Sequence, residues 1–206
     1  MKWSGLLELV GREPVFHSSV FLAGEADPND LGRQLSRWIK SGKLIQLRRG
    51  LYALAEPHRK TAPHPFLIAN RLKRASYISL QSALEFHHLI PEHVPSVTSI
   101  TTGRPETLSN PLGRFVFKHV KKSVFFGFEP ADLGDGQAAF VARPEKALLD
   151  LLYLTAGSDD LDYLRELRLQ NAENMSLDRL NELVRAFESP KLLRAVSKIA
   201  SLLAEP

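Results

Sequence analysis

The stretch Leu31–Ala55, LGRQLSRWIKSGKLIQLRRGLYALA, restricts the possible folds more than any other part of the chain. Leu31, Leu35, Trp38 and Ile39 stand at i, i+4, i+7 and i+8, so a helix puts all four on one face. Arg33, Arg37 and Lys40 recur at i, i+4 and i+7 on the opposite face, with Gln34 beside them. The expected helix runs from Asp30 to Ser41 and ends at Gly42. Lys43 to Leu54 then reads as two short strands, Leu44–Leu47 and Leu51–Leu54, around Arg48-Arg49-Gly50, where Gly50 permits the positive φ of a hairpin turn. A one-sided apolar helix must be covered by other elements, and the hairpin follows too closely to pack elsewhere.

Charge gives the same stretch a second meaning. It holds six Arg or Lys and no acid, against +4 for all 206 residues, so the rest of the chain nets −2. A positive helix beside a positive ribbon has the electrostatics of a nucleic-acid grip. The major groove of B-DNA admits one helix, where Arg reads guanine and Gln reads adenine. Arg33, Gln34 and Arg37 are therefore the expected base-reading residues. Lys40, Lys43, Arg48 and Arg49 are expected to hold phosphates or enter the minor groove. The alternative for the helix alone is a solvated basic face; the hairpin directly after it favours the grip.

Upstream, Ser4 to Arg12 reads as a first helix with Ser4 as its N-cap. Val15 to Ala23 reads as a strand and a short second helix. Glu25 to Asn29 is a turn by composition, with Asn29 capping the basic helix. Three short helices and a basic-tipped hairpin make a winged helix-turn-helix, expected over residues 1–56. Three prolines mark 57–65 as a linker. Residues 66–206 read as a second, mixed domain of a small antiparallel sheet and several helices. Its helices are expected over Phe66–Arg74 and Leu80–His88. Its strands are expected over Val97–Thr101, Arg114–Val120 and Ser123–Phe128. Pro144 opens a central helix that is apolar nearly all round. Ser176 and Ser189-Pro190 open later ones. The fold class is α/β in the α+β sense.

Other chemistries find little support. Without cysteine there is no disulfide, thiol nucleophile or Cys-type zinc site. That fits a reducing cytoplasm. No run approaches the roughly 20 apolar residues of a membrane helix, and the first residues lack the apolar run of a signal peptide. His87, His88 and His93 are close in sequence, but neighbours on a helix point apart and no HExxH accompanies them. Asp159, Asp160 and Asp162 suit the start of a helix better than a calcium loop. Neither a GxSxG elbow nor a P-loop is present. No catalytic residue, metal ligand or cofactor is assigned.

Four blocks in series carry a family resemblance: GKLIQLRRGLYAL, YISLQSALEFHHLIPE, VTSITTGRPETLSNPLGRFVFKHVKKSVFFGF and ARPEKALLDLLYL. Together they resemble the AbiEi family, antitoxins of type IV toxin–antitoxin systems, over roughly Gly32 to Leu154. The turn at Gly24–Asn29 is longer than the family pattern. The resemblance implies a non-enzymatic, cytoplasmic transcriptional repressor. It would bind double-stranded operator DNA, with inverted repeats, as a dimer or cooperatively. Its second domain would counteract a nucleotidyltransferase toxin encoded beside it, with direct contact left open. The rivals are an RNA- or protein-binding module on the same basic face, and an enzyme on nucleotides or nucleic acid with catalysis in the second domain.

Overall fold

The structure is a computed structural model that describes residues 2–23 and 28–204. Among these, eight α-helices and two sheets, of three and six strands, form an α+β fold. Helix α1 (Trp3–Val10) starts one residue before Ser4, with Lys2 at the cap position and no side-chain cap, so Ser4 lies inside it. Strand β1 (Phe16–His17) leads into a 3-10 turn, Ser18–Ala23. The turn expected at Glu25–Asn29 falls largely outside the described residues. Helix α2 spans Pro28–Lys40, so Asn29 lies within it rather than capping it. The helix ends as expected, with the Gly42 and Lys43 amides donating to the Ile39 and Trp38 carbonyls at 3.0 and 2.9 Å, the paired bonds of a Schellman motif.

Strands β2 (Leu44–Arg48) and β3 (Leu51–Leu54) form the expected hairpin, with Gly50 at φ 82°. The sheet order is β1-β3-β2, so β3 is central. All four β3 residues are buried, in two different cores. Tyr52 and Leu54 join Leu6, Phe16, Leu31 and Leu35 in the smaller cluster. Leu51 and Ala53 join the large cluster of the following residues. Side chains alternate across a strand, so a continuous apolar run is what burial on both faces requires.

From α3 (Pro65–Leu72) onward the chain builds the larger sheet from β4 (Ser76–Ile78), β5 (Val97–Thr101), β6 (Glu106–Asn110), β7 (Gly113–His119), β8 (Phe128–Asp132) and β9 (Ala138–Ala142). Helix α4 (Leu80–Phe86) follows β4. The strand order is β6-β7-β5-β4-β9-β8. The sheet is mixed rather than the small antiparallel one expected, because β4 pairs with β9, and β5 with β7, in parallel. The Ser123–Phe128 strand does not form either. Lys122–Val124 is a 3-10 turn, and Phe125 and Phe126 both pack inward instead of alternating.

Helix α5 (Pro144–Leu154) is the central one, touching α4, β9, α7 (Leu177–Arg185) and α8 (Pro190–Ala204). Helix α6 (Leu161–Glu166) starts on Asp160, which accepts from the Asp162 and Tyr163 amides, and α7 on Ser176, which accepts from Arg179. Within α5, Lys146 and Asp150 are fully buried and paired. Tyr77 and Ser79 hydroxyls donate to Asp150 at 2.9 and 2.8 Å, and Lys146 donates to the Tyr77 oxygen at 2.9 Å. The Phe187 ring centre is 4.9 Å from the ammonium. Gly127, at φ 74°, passes so close that a Cβ there would sit 3.1 Å from the Lys146 stem. Burial pushes Lys146 down and Asp150 up from their ordinary pKa values, and their contact pulls each back.

Removing one partner strands a buried charge, so Asp150→Ala should cost about 3–5 kcal/mol in urea unfolding. The double variant Lys146→Met/Asp150→Leu should cost less than Asp150→Ala alone; an equal or larger loss would contradict the stranded-charge explanation. A second prediction concerns acid. His64 caps α3, its Nδ1 accepting from the Phe66 amide at 3.1 Å, and His87 donates to the Ala142 carbonyl at 2.8 Å. Burial lowers both pKa values below the ordinary 6.5. Below that value the unfolded chain binds more protons, so their stabilisation is complete above it and is lost as pH falls through the folded values. Thermal melts should drop between about pH 7.5 and 5. His64→Asn, which keeps a capping acceptor without titrating there, should flatten the slope; an unaltered slope would remove His64 from the account.

Candidate nucleic-acid interface

Helix α2 sorts its side chains as the periodicity requires. Leu31 and Leu35 are buried, and Trp38 and Ile39 pack against the same cluster. Arg33, Arg37 and Lys40 are exposed on the other side. Arg33 pairs with Asp30, one turn earlier on the helix. Both groups are mostly in water, where such a pair contributes only about 0–1 kcal/mol and opens readily to a competing acceptor. The side chains of Arg37 and Lys40 make no hydrogen bond or ion pair among the described residues. Gln34 departs from this stripe: it is half-buried, and its Oε1 is interior without a hydrogen-bond partner.

Lys43 follows the helix stop and is half-buried, its ammonium 5.2 Å from the centre of the Trp3 ring. Trp3 also meets Trp38 at 5.2 Å and His58 at 5.0 Å, so Lys43 closes an aromatic cluster that joins α1 to α2. The two hairpin arginines part company. Arg49 lies in the turn itself and is exposed. Arg48 ends β2 and donates through Nη1 to the Leu72 carbonyl at 2.9 Å, at the C-terminal end of α3. There the guanidinium meets a carbonyl the helix leaves free, at the negative end of its dipole. Asn110 of β6 donates to the Leu47 carbonyl at 3.4 Å beside it. The hairpin is thus tied to the larger sheet by polar contacts as well as by Leu51 and Ala53.

The remaining clusters marked in the sequence serve other ends. His93 pairs with Glu85 at 2.8 Å, while His87 is engaged with Ala142. Asp159 binds Arg194 at 2.7 Å and Asp160 caps α6. Among the described residues no group of three His or acidic side chains could hold a metal ion, and no helix is long and apolar enough to cross a membrane. The sequence reading missed the Lys146–Asp150 pair. Its signal was present: Lys146 and Asp150 are opposite charges at i, i+4 in a helix whose only other charge is Glu145.

No family model matches the chain, and no curated protein matches its sequence. The crystal structure of the RV2827C protein from Mycobacterium tuberculosis is similar, with a TM-score of 0.55 at 19% identity over 96% of this chain and 74% of that one. At that identity the likeness concerns the fold.

Arg48 and Arg49 should respond differently to truncation. Arg48→Ala should lower stability by about 1 kcal/mol in urea unfolding, by losing a charged hydrogen bond that is part-exposed. Arg49→Ala should leave stability within about 0.5 kcal/mol of the parent. Equal midpoints for the two variants would show that the Leu72 contact contributes nothing.

Proposed function

We propose that the protein is a sequence-specific, double-stranded DNA-binding repressor of the AbiEi antitoxin type, without enzymatic activity. The observation that carries this reading is the exposed stripe of Arg33, Arg37 and Lys40 on α2, with its opposite face in the core and the Arg49 hairpin directly after it. The arrangement supports a winged helix-turn-helix: a short helical turn, Ser18–Ala23, precedes α2, and the hairpin strand β3 pairs back to β1. Arg33 and Arg37 read base edges in the major groove, and Gln34 works from the flank of the stripe. Lys40, Lys43 and Arg49 meet phosphates or the minor groove. Arg48 holds the hairpin at its working angle. The antitoxin half of the reading, opposition to a nucleotidyltransferase encoded beside this gene, rests on the family resemblance.

DNA specificity and DNA affinity then separate by residue. Arg37→Ala should cost about 1–3 kcal/mol on the operator and relax preference at one base position. Lys40→Ala should weaken binding evenly across sequences and reduce the slope of log K against log salt by about one. Gel-shift titrations of a duplex from the protein's own promoter, against random duplex and structured RNA, measure both. The reading fails if the promoter duplex binds no tighter than random duplex, or if the RNA outcompetes it. Co-expression with the neighbouring nucleotidyltransferase tests the antitoxin half: growth arrest that this protein does not relieve refutes it.

A further inference from the structure

We propose that the cleft between β1 and the α3–β9 layer binds a nucleoside phosphate, either a free mononucleotide or an unpaired nucleotide of a strand. The cleft is separate from the α2 stripe and goes beyond its reading. It has a volume of about 370 Å³, and His17, Leu67, Asn70, Arg71, Arg74 and Phe140 are among its lining residues. That size falls within the range of small-ligand sites.

Two features of the lining favour this ligand. Arg71, in the last turn of α3, and Arg74, just beyond it, are exposed and make no hydrogen bond or ion pair among the described residues. Among the described residues, no lining side chain is a carboxylate. Two open guanidiniums three residues apart, with no acid among the described lining residues, suit a phosphate, which takes paired N–H donors. Beside them Phe140 is 46% exposed, although its strand neighbours Ala139 and Val141 are buried. Phe128 braces the ring in a T-shaped contact at 5.8 Å, which fixes a large aromatic surface at the cleft. A planar base stacks on such a ring.

The backbone beside the ring is held in place. Strand β4 engages β9 at Val141, and one residue earlier it is the Asn70 side chain that accepts from the Phe140 amide, at 2.6 Å. Asn70 also donates to the Ser76 carbonyl at 3.4 Å, so the strand margin beside the ring is fixed by a side chain held at both ends. An anion alone would leave Phe140 unused, and an apolar ligand would leave both arginines unpaired. A phosphate carrying a planar base uses both.

Isothermal titration of the full chain with AMP, CMP, GMP, UMP, a single-stranded trinucleotide and inorganic phosphate tests this. Saturable binding is expected for the mononucleotides or the trinucleotide. It should weaken about tenfold in Phe140→Ala, and at least as much in Arg71→Ala/Arg74→Ala. Arg71 and Arg74 are exposed, and so is nearly half of Phe140, so circular-dichroism spectra of the variants should match the parent's folded spectrum. Binding of mononucleotides identifies a free ligand; binding of the trinucleotide alone identifies a strand. The proposal is overturned if neither binds saturably, if inorganic phosphate binds as tightly as the nucleotides, or if the variants bind like the parent.

Discussion

Strand β3 is the element on which the rest of the molecule depends, because it is buried on both faces. Tyr52 and Leu54 close the core under α1 and α2, while Leu51 and Ala53 belong to the core of the six-stranded sheet. Full burial of one large aliphatic side chain contributes about 1.5–3 kcal/mol, so a strand shared in this way couples the stability of the two cores. The basic stripe of α2 and the Arg49 tip are consequently held at one orientation to the larger sheet. Arg48 and Asn110 add polar contacts at the same junction.

The second constraint lies inside α5. Lys146 and Asp150 are desolvated, and burial alone would drive both toward their neutral forms. They are held by each other, by two hydroxyls from the strand end at Tyr77 and Ser79, and by aromatic rings from distant parts of the chain. Such a network adds little net stability over apolar packing, but it penalises any arrangement that separates its members. It therefore fixes α5 against β4 in one register. Phe126 lies 5.4 Å from the Lys146 ammonium and Phe125 meets Tyr77 at 5.1 Å, so both rings turn in toward this network.

The exposed basic groups divide across the surface in a comparable way. The α2 stripe lies along an exposed helix face, which the proposed function sets in a DNA groove. Arg71 and Arg74 line a cleft beside Phe140, to which the proposal above assigns a single planar ligand. Both are basic, yet they differ in what accompanies the charge: exposed helix on one side, an aromatic ring and a strand margin on the other.

How much was legible in the sequence follows from the range of the interactions. Periodicity alone placed α2, its core face and its basic stripe, because residues three and four apart meet on a helix whatever surrounds it. The hairpin was equally local, set by Arg49-Gly50 between two apolar runs. Side-chain partners set by distant residues were not legible. Arg48 and Arg49 are identical neighbours, and only the carbonyl at Leu72 separates an anchor from a free tip. Gln34 adjoins Arg33, yet half-burial takes it off the open face. Strands β6, β8 and β9 went unread, since edge strands carry a weak pattern and parallel pairing joins residues far apart in the chain. The sequence by itself determined the amphipathic basic helix and its hairpin. Only the tertiary structure decided which charges are free, because burial and long-range partners are properties of packing and not of spacing.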